Sequence, residues 1–176
     1  LEMAMRDHYE GTPFALDSDI GGGIWDMPYR PTPLSFEVDG KKCFNERPVS
    51  TQQSGFVYVS QMRSWLPREI GGVLWFGNDD ANMVPYTPVY CSATRIPKCY
   101  NTPGADAVTF SMENAFWVCN WVSNMVYPRY SQMFPSLELV RDSLDNSYLS
   151  QQALVGEKAK PLDGAAAGKH LNDHSC

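Results

Sequence analysis

Two short runs of β-branched and aromatic residues lie at the centre of the chain, separated by a short connection that contains a proline. Residues 55–62 are rich in Val, Tyr and Phe, which favour the pleated, half-buried surface of a sheet. Residues 72–77 are almost entirely apolar, which is typical of a strand buried on both faces. The short connection predicts that the two strands are adjacent and antiparallel. Residues 89–94 and, more weakly, residues 107–110 are two further strand candidates.

Helical periodicity is found at the start of the chain and in its second half. Residues 1–9 predict a helix that ends before Pro13, and residues 112–126 carry apolar side chains at helical spacing up to Pro128. A further helix is predicted from Pro135 to about Leu154. Its apolar side would comprise Leu137, Val140, Leu144, Tyr148 and Leu149. The order of helix, loop, strands and helices predicts an α+β fold with helices packed on an antiparallel sheet.

Between the first helix and the strands, residues 10–47 are rich in Gly and Pro. A loop of this length is unusual in a compact domain and is often functional or packed against another part of the protein. Within it, residues 34–38 alternate apolar and polar side chains, and Asp39-Gly40 predicts a turn into a short hairpin. At the other end, the sequence beyond Gly156 thins to Lys, Gly and Ala. We therefore expect one domain over residues 1–155 and a tail over 156–176, which is a linker or docks onto a partner segment.

The composition excludes some functions. The 176 residues carry a net charge of −6 and a pI near 5.0, which argues against a nucleic-acid binder because such a protein needs a basic face. No apolar run approaches the ~20 residues that a membrane-spanning helix needs. The five cysteines have irregular spacing and include no C-x-x-C motif, so they do not predict a disulfide framework or a zinc site. Two redox states remain possible from the sequence: a disulfide bond between Cys91 and Cys99, or a set of reduced thiols.

The most distinctive polar cluster follows the second strand. Asn78, Asp79, Asp80 and Asn82 crowd the end of an apolar run. Asn and Asp favour tight turns, which is the structural interpretation. In the functional interpretation they face a cleft, where an Asn amide can donate to an oxyanion and an Asp can receive an ammonium group. The spacing matches no EF-hand loop and no histidine lies nearby, so we expect no metal here.

A second polar stretch leads into the first strand. Thr51, Gln52 and Gln53 can hold a peptide backbone by direct hydrogen bonds, and Arg47 can bind a carboxylate in a fork geometry. Solvation of a strand edge is the alternative of equal weight.

The familiar catalytic motifs are missing from the sequence. None of the three histidines lies near a Ser or Cys nucleophile motif, and there is no G-x-S-x-G, no H-E-x-x-H and no phosphate-binding glycine loop. The cysteines lie in the middle of the chain or at its end, mostly in apolar settings where a thiol is inert. Motifs alone therefore show no complete active site.

Four blocks nevertheless stand in order along the chain: MRDHYEGTP at residues 5–13, RPVSTQQSGFVYVSQMR at 47–63, GGVLWFGNDDANMVPYTPVYCS at 71–92 and AFWVCNWVSNMVYPRYS at 115–131. Together they resemble the cysteine dipeptidases of dipeptidase A type, in the N-terminal-nucleophile hydrolase superfamily. The resemblance runs from about Met3 to about Leu149.

This resemblance implies an αββα sandwich, two antiparallel sheets stacked between helical layers. It implies a cysteine at the mature N-terminus that attacks the scissile amide, with its own α-amino group as the base. It implies a dipeptide substrate and no metal or organic cofactor. Asn82 becomes a candidate oxyanion donor. The candidate substrate-binding residues are Asn78, Asp79, Asp80, Arg47, Thr51, Gln52 and Gln53.

The chain departs from this family in one respect, since its first residue is Leu1 and not Cys. We therefore expect an internal fragment that lacks the nucleophile and is inactive alone. Half of a two-sheet sandwich would leave an apolar sheet face uncovered, so we expect self-association or coverage by remaining segments of the parent chain. An acylase of the choloylglycine hydrolase type and a noncatalytic binding module remain alternatives. The compartment, bacterial cytoplasm or an exported location, is left open.

Overall fold

The structure is a computed structural model that describes residues 1–44 and 46–174. Residues 175–176 of the predicted tail, with Cys176, lie outside the described residues. The helices are α1 (Glu2–Met5), α2 (Arg68–Gly71), α3 (Ala115–Val126), α4 (Tyr130–Ala159) and α5 (Gly164–His174). The strands are β1 (Phe36–Val38), β2 (Lys41–Cys43), β3 (Phe56–Met62), β4 (Gly72–Asn78) and β5 (Thr87–Tyr90). Short 3₁₀ segments occupy Ile20–Trp25, Lys98–Tyr100 and Tyr127–Arg129.

The central sheet contains β3, β4 and β5 in that order, and both pairs are antiparallel. In the register, Trp75 of β4 lies opposite Val59 on one side and Pro88 on the other. The two predicted central strands and their antiparallel pairing are therefore confirmed. The third strand begins and ends earlier than predicted, because the chain turns at Cys91, where the Ala93 N–H donates to the Tyr90 carbonyl (2.9 Å).

One face of this sheet is covered and the other is open. Val57, Val73 and Trp75 are buried in the core. On the opposite face, Phe56 is 61% exposed and Tyr58 is 54% exposed. The prediction that β4 is buried on both faces is wrong for the described chain, because its alternate side chains are only partly covered. In the described residues this face of the sheet is therefore apolar and uncovered around Phe56 and Tyr58.

The β1–β2 hairpin forms as predicted. Asp39 and Gly40 have φ angles of 50° and 74°, the left-handed values that a tight two-residue hairpin turn requires. The predicted strand at residues 107–110 is wrong. The Asp106 carboxylate accepts hydrogen bonds from the N–H groups of Val108 (2.9 Å) and Thr109 (2.7 Å), so a turn takes the donors that a strand would use.

Both long helices are present, but their details differ from the predictions. Helix α3 begins at Ala115 because Asn114 caps it, accepting from the Phe116 N–H (3.0 Å). Helix α4 starts before Pro135 and runs to Ala159. Its buried positions include Arg141 and Asp145, whereas the apolar side that the sequence predicted is partly exposed, at Val140, Leu144 and Leu149. Leu137 and Tyr148 of that side do pack against the core.

The segment beyond residue 156 is helical and packs on its own chain. The last residues of α4 and helix α5 form there, and Ala167 and Leu171 of α5 are fully buried. The Asn172 side chain accepts hydrogen bonds from the Thr94 N–H (2.9 Å) and the Arg95 N–H (3.2 Å) after β5. Over the described residues this segment is therefore a docked helix and not an extended linker.

The α+β class is confirmed, with an antiparallel sheet and helices packed on one of its faces. Among the described residues, no helix has both the length and the apolar character needed to cross a membrane.

Candidate functional site

The polar cluster at the end of β4 is buried, not open to a cleft. Asp79, Asp80 and Asn82 are all buried, and Asn78, the last residue of β4, is half-buried. Asp79 has a φ of 87°, a conformation that Asp tolerates better than most residues, and its N–H donates to the Gly55 carbonyl (3.0 Å). The chain therefore turns sharply inward after the strand.

Asp80 is the centre of this cluster. One carboxylate oxygen accepts hydrogen bonds from the Ser50 hydroxyl and from the Asn82 N–H (3.1 Å). The other accepts from the Tyr127 hydroxyl (3.1 Å). A buried carboxylate needs such donors, and here three elements of the chain supply them.

Asn82 is held by residues of α4. Its side-chain oxygen and its backbone carbonyl both accept from the Arg141 guanidinium, each at 2.7 Å. Its side-chain N–H donates to the Tyr130 hydroxyl (3.0 Å). The amide is therefore oriented by fixed partners, which is what an oxyanion donor requires before substrate arrives.

Asp79 has an incomplete set of partners. One oxygen accepts from the Asn120 side chain (3.2 Å), and the other has no hydrogen-bond partner in the part of the chain that the structure describes. Burial raises the pKa of Asp79, and the nearby Asp80 charge acts in the same direction. Protonation of this carboxyl is thus easier than that of a solvent-exposed Asp, although the hydrogen bond from Asn120 acts in the opposite direction.

Arg6 fastens the segment that follows the cluster. It donates to the carbonyls of Ala81 (3.1 Å) and Val84 (2.9 Å) and pairs with Asp145 of α4 at 2.7 Å. Asp145 also accepts from the Tyr86 N–H (2.9 Å). The sequence analysis did not identify Arg6, Arg141, Tyr127 or Tyr130 as parts of this site. The one available signal was the Arg141–Asp145 pair, two charges four residues apart in a predicted helix.

The second polar stretch meets the first through Ser50. Besides donating to Asp80, the Ser50 hydroxyl accepts from the Asn82 N–H (2.9 Å). Beyond it, the Thr51 hydroxyl contacts the side-chain oxygens of Gln52 (3.2 Å) and Gln53 in a local turn. The structure therefore brings the two predicted stretches together at Ser50, while Thr51 to Gln53 form a cluster of their own.

Arg47 lies in a different place, on the wall of an open cleft of about 590 Å³ in the long irregular segment. The walls include Tyr9, Phe14, Leu16 and Phe44. The Tyr9 hydroxyl donates to the Arg47 carbonyl (3.1 Å), which ties the two sides of the cleft together. The sequence predicted that this segment is functional or packed, and the cleft makes it a candidate binding surface.

His8, next to the cleft, is buried and was not predicted. Its Nδ1 lies 2.7 Å from a Glu10 carboxylate oxygen, and its ring packs edge-on against Tyr29. Burial acts to raise the pKa of Glu10, but the His8 backbone N–H and the other hydrogen bonds outweigh it and lower the pKa. Nothing in residues 1–44 or 46–174 contacts Nε2 of His8 by a hydrogen bond.

The described thiols do not form a nucleophilic site. Burial raises the pKa of Cys119 to about 12, so this thiol is protonated at neutral pH. Cys91 is an exposed free thiol, so the bridge to Cys99 is not formed. Within the described residues, no group of His, Cys, Asp and Glu side chains is arranged to hold a metal ion.

Comparisons with known proteins bear on this geometry. The family model of peptidase family C69 matches residues 1–142. Dipeptidase A of Lactobacillus helveticus is 25% identical over 175 residues, which is 98% of this chain and 31% of that protein. The chain thus spans about a third of the length of this curated relative. Both polar stretches and the cleft fall within the matched residues.

Proposed function

The chain belongs to peptidase family C69, and on that basis we propose that it is one segment of a dipeptidase. The whole protein hydrolyses dipeptides, with a cysteine at the mature N-terminus as nucleophile. That cysteine lies in a part of the precursor outside this chain. The segment described here supplies scaffold and pocket wall.

The match to peptidase family C69 over residues 1–142 carries the proposal. It covers residues 47–53 and 78–82, which the Ser50–Asp80 hydrogen bond joins. The second stretch thus meets the network of the first at Ser50, while Thr51 to Gln53 form a local cluster beside it. Catalytic groups held by such a network need little reorganisation during the reaction.

The nucleophile is proposed to come from elsewhere because the chemistry requires a reactive thiolate. An N-terminal cysteine has an α-amino group of pKa near ~8 that can take the thiol proton. Cys119 has no such base, and its raised pKa keeps it protonated at neutral pH.

Within the network we propose that Asn82 donates to the oxyanion of the tetrahedral intermediate. One of its side-chain N–H groups donates to the Tyr130 hydroxyl, and in this proposal the second donates to the oxyanion. Asp80 positions the Asn82 backbone and does not itself touch substrate, since both its oxygens are occupied inside the protein. Asn78 and Asp79 line the same turn.

The other candidate residues are proposed to hold the peptide. Arg47 lies on the cleft wall and is suited to a substrate carboxylate. Thr51, Gln52 and Gln53 offer hydroxyl and amide groups that can bind peptide backbone.

The open face of the central sheet fits the same proposal. Phe56, Tyr58 and Phe76 form a stacked aromatic surface on that face. Remaining segments of the parent chain, as a second sheet, would bury it.

The test is an activity assay on the full-length protein. Replacing the N-terminal cysteine by Ala should abolish dipeptide hydrolysis, and Asn82→Ala should lower kcat about 10²-fold with a small effect on KM. A protein that hydrolyses acyl amides but no dipeptide would contradict the proposal. Undiminished kcat/KM in the Asn82 variant would remove that residue's role.

A further inference from the structure

We propose that the cleft in the long irregular segment binds the N-terminal residue of the substrate. Its side chain lies against Phe14 and Phe44, and its ammonium group lies near Asp19 and Glu46. This inference rests on the proposed dipeptidase function and assigns the part of the substrate that the cleft recognises.

The cleft has the size and walls for an amino-acid side chain. Its volume of about 590 Å³ is within the range of small-molecule sites, and Pro13, Phe14, Leu16 and Phe44 supply apolar surface. Phe14 and Phe44 are well exposed in the described chain. Aromatic side chains left open on the walls of a cleft can bury against an apolar ligand.

The charges on one wall favour a cation. Arg30 is almost completely buried and pairs with Asp19 at 2.5 Å and with Glu46 at 3.0 Å. One guanidinium therefore pairs with two carboxylates, so the three side chains of Arg30, Asp19 and Glu46 together carry one net negative charge. Burial acts to raise the pKa of Asp19, but the Arg30 charge outweighs it, and the pKa is lowered. The part of the wall that carries Asp19 and Glu46 is thus anionic at neutral pH, where a dipeptide carries an ammonium group. Arg47, which lines the same cleft, supplies the positive charge proposed above for the dipeptide carboxylate.

Hydrogen bonds within the loop fix the position of the Asp19 carboxylate. One Asp19 oxygen accepts from the N–H groups of Gly21 (2.8 Å) and Gly22 (3.1 Å). Arg30 also donates to the Leu16 carbonyl (2.8 Å), so it fixes the loop on which Asp19 lies. A substrate ammonium would meet a preorganised group and would not have to order a mobile one.

The backbone at the cleft is also unusual. Tyr9 and Phe44, on its walls, have φ angles of 67° and 70°, in the left-handed region that bulky residues rarely adopt. Such conformations persist where the surrounding structure enforces them, often at ligand sites. At Tyr9 the enforcing contacts are the hydrogen bond from its N–H to Asp7 (2.8 Å) and that from its hydroxyl to Arg47.

The ammonium contact is tested in the full-length enzyme by comparing leucylglycine with N-acetyl-leucylglycine, which lacks the charge. Asp19→Asn keeps an oxygen for Gly21 and Gly22 but removes the charge, and Glu46→Gln does the same on the second carboxylate. Each variant should lower kcat/KM for leucylglycine, relative to kcat/KM for N-acetyl-leucylglycine, about tenfold. The matched control is Asp106→Asn, because Asp106 also accepts two backbone N–H bonds in a turn but lies elsewhere, and it should leave the ratio unchanged.

The apolar wall is tested by comparing leucylglycine with glycylglycine. Phe14→Ala and Phe44→Ala should each reduce the preference for the leucyl substrate about tenfold. Phe110→Ala is the control, since Phe110 is 57% exposed and Phe44 is 60% exposed. Unchanged preferences in the charge and aromatic variants would overturn the inference. So would a fall in melting temperature without a change in preference, because the cleft would then be filled by another part of the protein.

Failure of the inference can be distinguished from failure of the proposed function. If the wild-type enzyme hydrolyses no dipeptide, the function is wrong, and calorimetric binding of leucylglycine then decides the role of the cleft. Binding that weakens about tenfold in Asp19→Asn supports the inference, and absence of binding to the wild-type protein refutes it.

Discussion

The hydroxyl of Ser50 donates a hydrogen bond to the carboxylate of Asp80, and both residues are fully shielded from solvent. Ser50 precedes β3 and Asp80 follows β4. Because these strands are antiparallel, the contact joins the segment that enters β3 to the segment that leaves β4. It is the point where the polar stretch before β3 contacts the polar cluster after β4.

Replacing Ser50 by Ala should destabilise the full-length protein by about 2 kcal/mol. The change removes a donor to a buried carboxylate and the acceptor of the Asn82 N–H, and hydrogen bonds to charged groups are the stronger ones. Urea denaturation measures the effect. Ser150→Ala is the control, because that hydroxyl is exposed and donates to the Ser147 carbonyl in its own helix. Equal, small effects of both substitutions would contradict this prediction.

Replacing Arg6 by Ala should lower the free energy of unfolding of the full-length protein by about 3–5 kcal/mol. It removes two hydrogen bonds to the segment after β4 and leaves Asp145 as a poorly exposed, unpaired charge. Lys98→Ala provides the comparison, since the Lys98–Glu113 pair lies on the surface and should contribute less than about 1 kcal/mol. Thermal unfolding of both variants measures the difference, and similar losses in the two would argue against a structural role for Arg6.

The raised pKa of Asp79 predicts a pH-dependent effect of Asp79→Asn. An acid whose pKa is higher in the folded state binds more protons when folded, so it favours the folded state at low pH and this contribution is lost as pH rises. The stability of Asp79→Asn relative to wild type should therefore increase from pH 3 to pH 7. Asp106→Asn should show the opposite trend, since hydrogen bonds from Val108 and Thr109 lower the pKa of Asp106. Unfolding midpoints across this pH range test both signs.

The open sheet face predicts that Tyr58 is buried in the complete protein. Tyr58 is 54% exposed in the described chain, yet Tyr58→Lys should destabilise the full-length protein by about 2–4 kcal/mol, because the lysine would lie under a second sheet. Phe110→Lys, at a similarly exposed position, should cost less than about 1 kcal/mol. A tolerated lysine at residue 58 would mean that solvent covers this face.

Much of the fold follows from local sequence signals. Hydrophobic periodicity located β3, β4, α3 and most of α4, and Asp39-Gly40 predicted the hairpin, since these signals depend on neighbouring residues. Helix α1 ends at Met5 and is shorter than predicted, and α2 and α5 were not predicted. The strand predicted at residues 107–110 failed because a single side chain, Asp106, competes for the backbone donors. The apolar spacing in α4 indicated a buried side, but Arg141 and Asp145 occupy buried positions because partners distant in the chain satisfy them.

The candidate site was predictable only in part. The turn chemistry of residues 78–82 was visible in the sequence, whereas its contact with Ser50 joins residues far apart in the chain. The same holds for Arg30, whose partners Asp19 and Glu46 close the long segment around the cleft. The roles of Asn82 and of the substrate-binding residues remain predictions.

The most direct test of the account is dipeptidase activity of the full-length protein after selective replacement of its cysteines. We predict that replacing Cys43, Cys91, Cys99 and Cys119 together leaves leucylglycine hydrolysis within about tenfold of wild type, while replacing the processed N-terminal cysteine alone abolishes it. Loss of hydrolysis on replacing Cys119 or another internal cysteine, with the N-terminal variant still active, would contradict it.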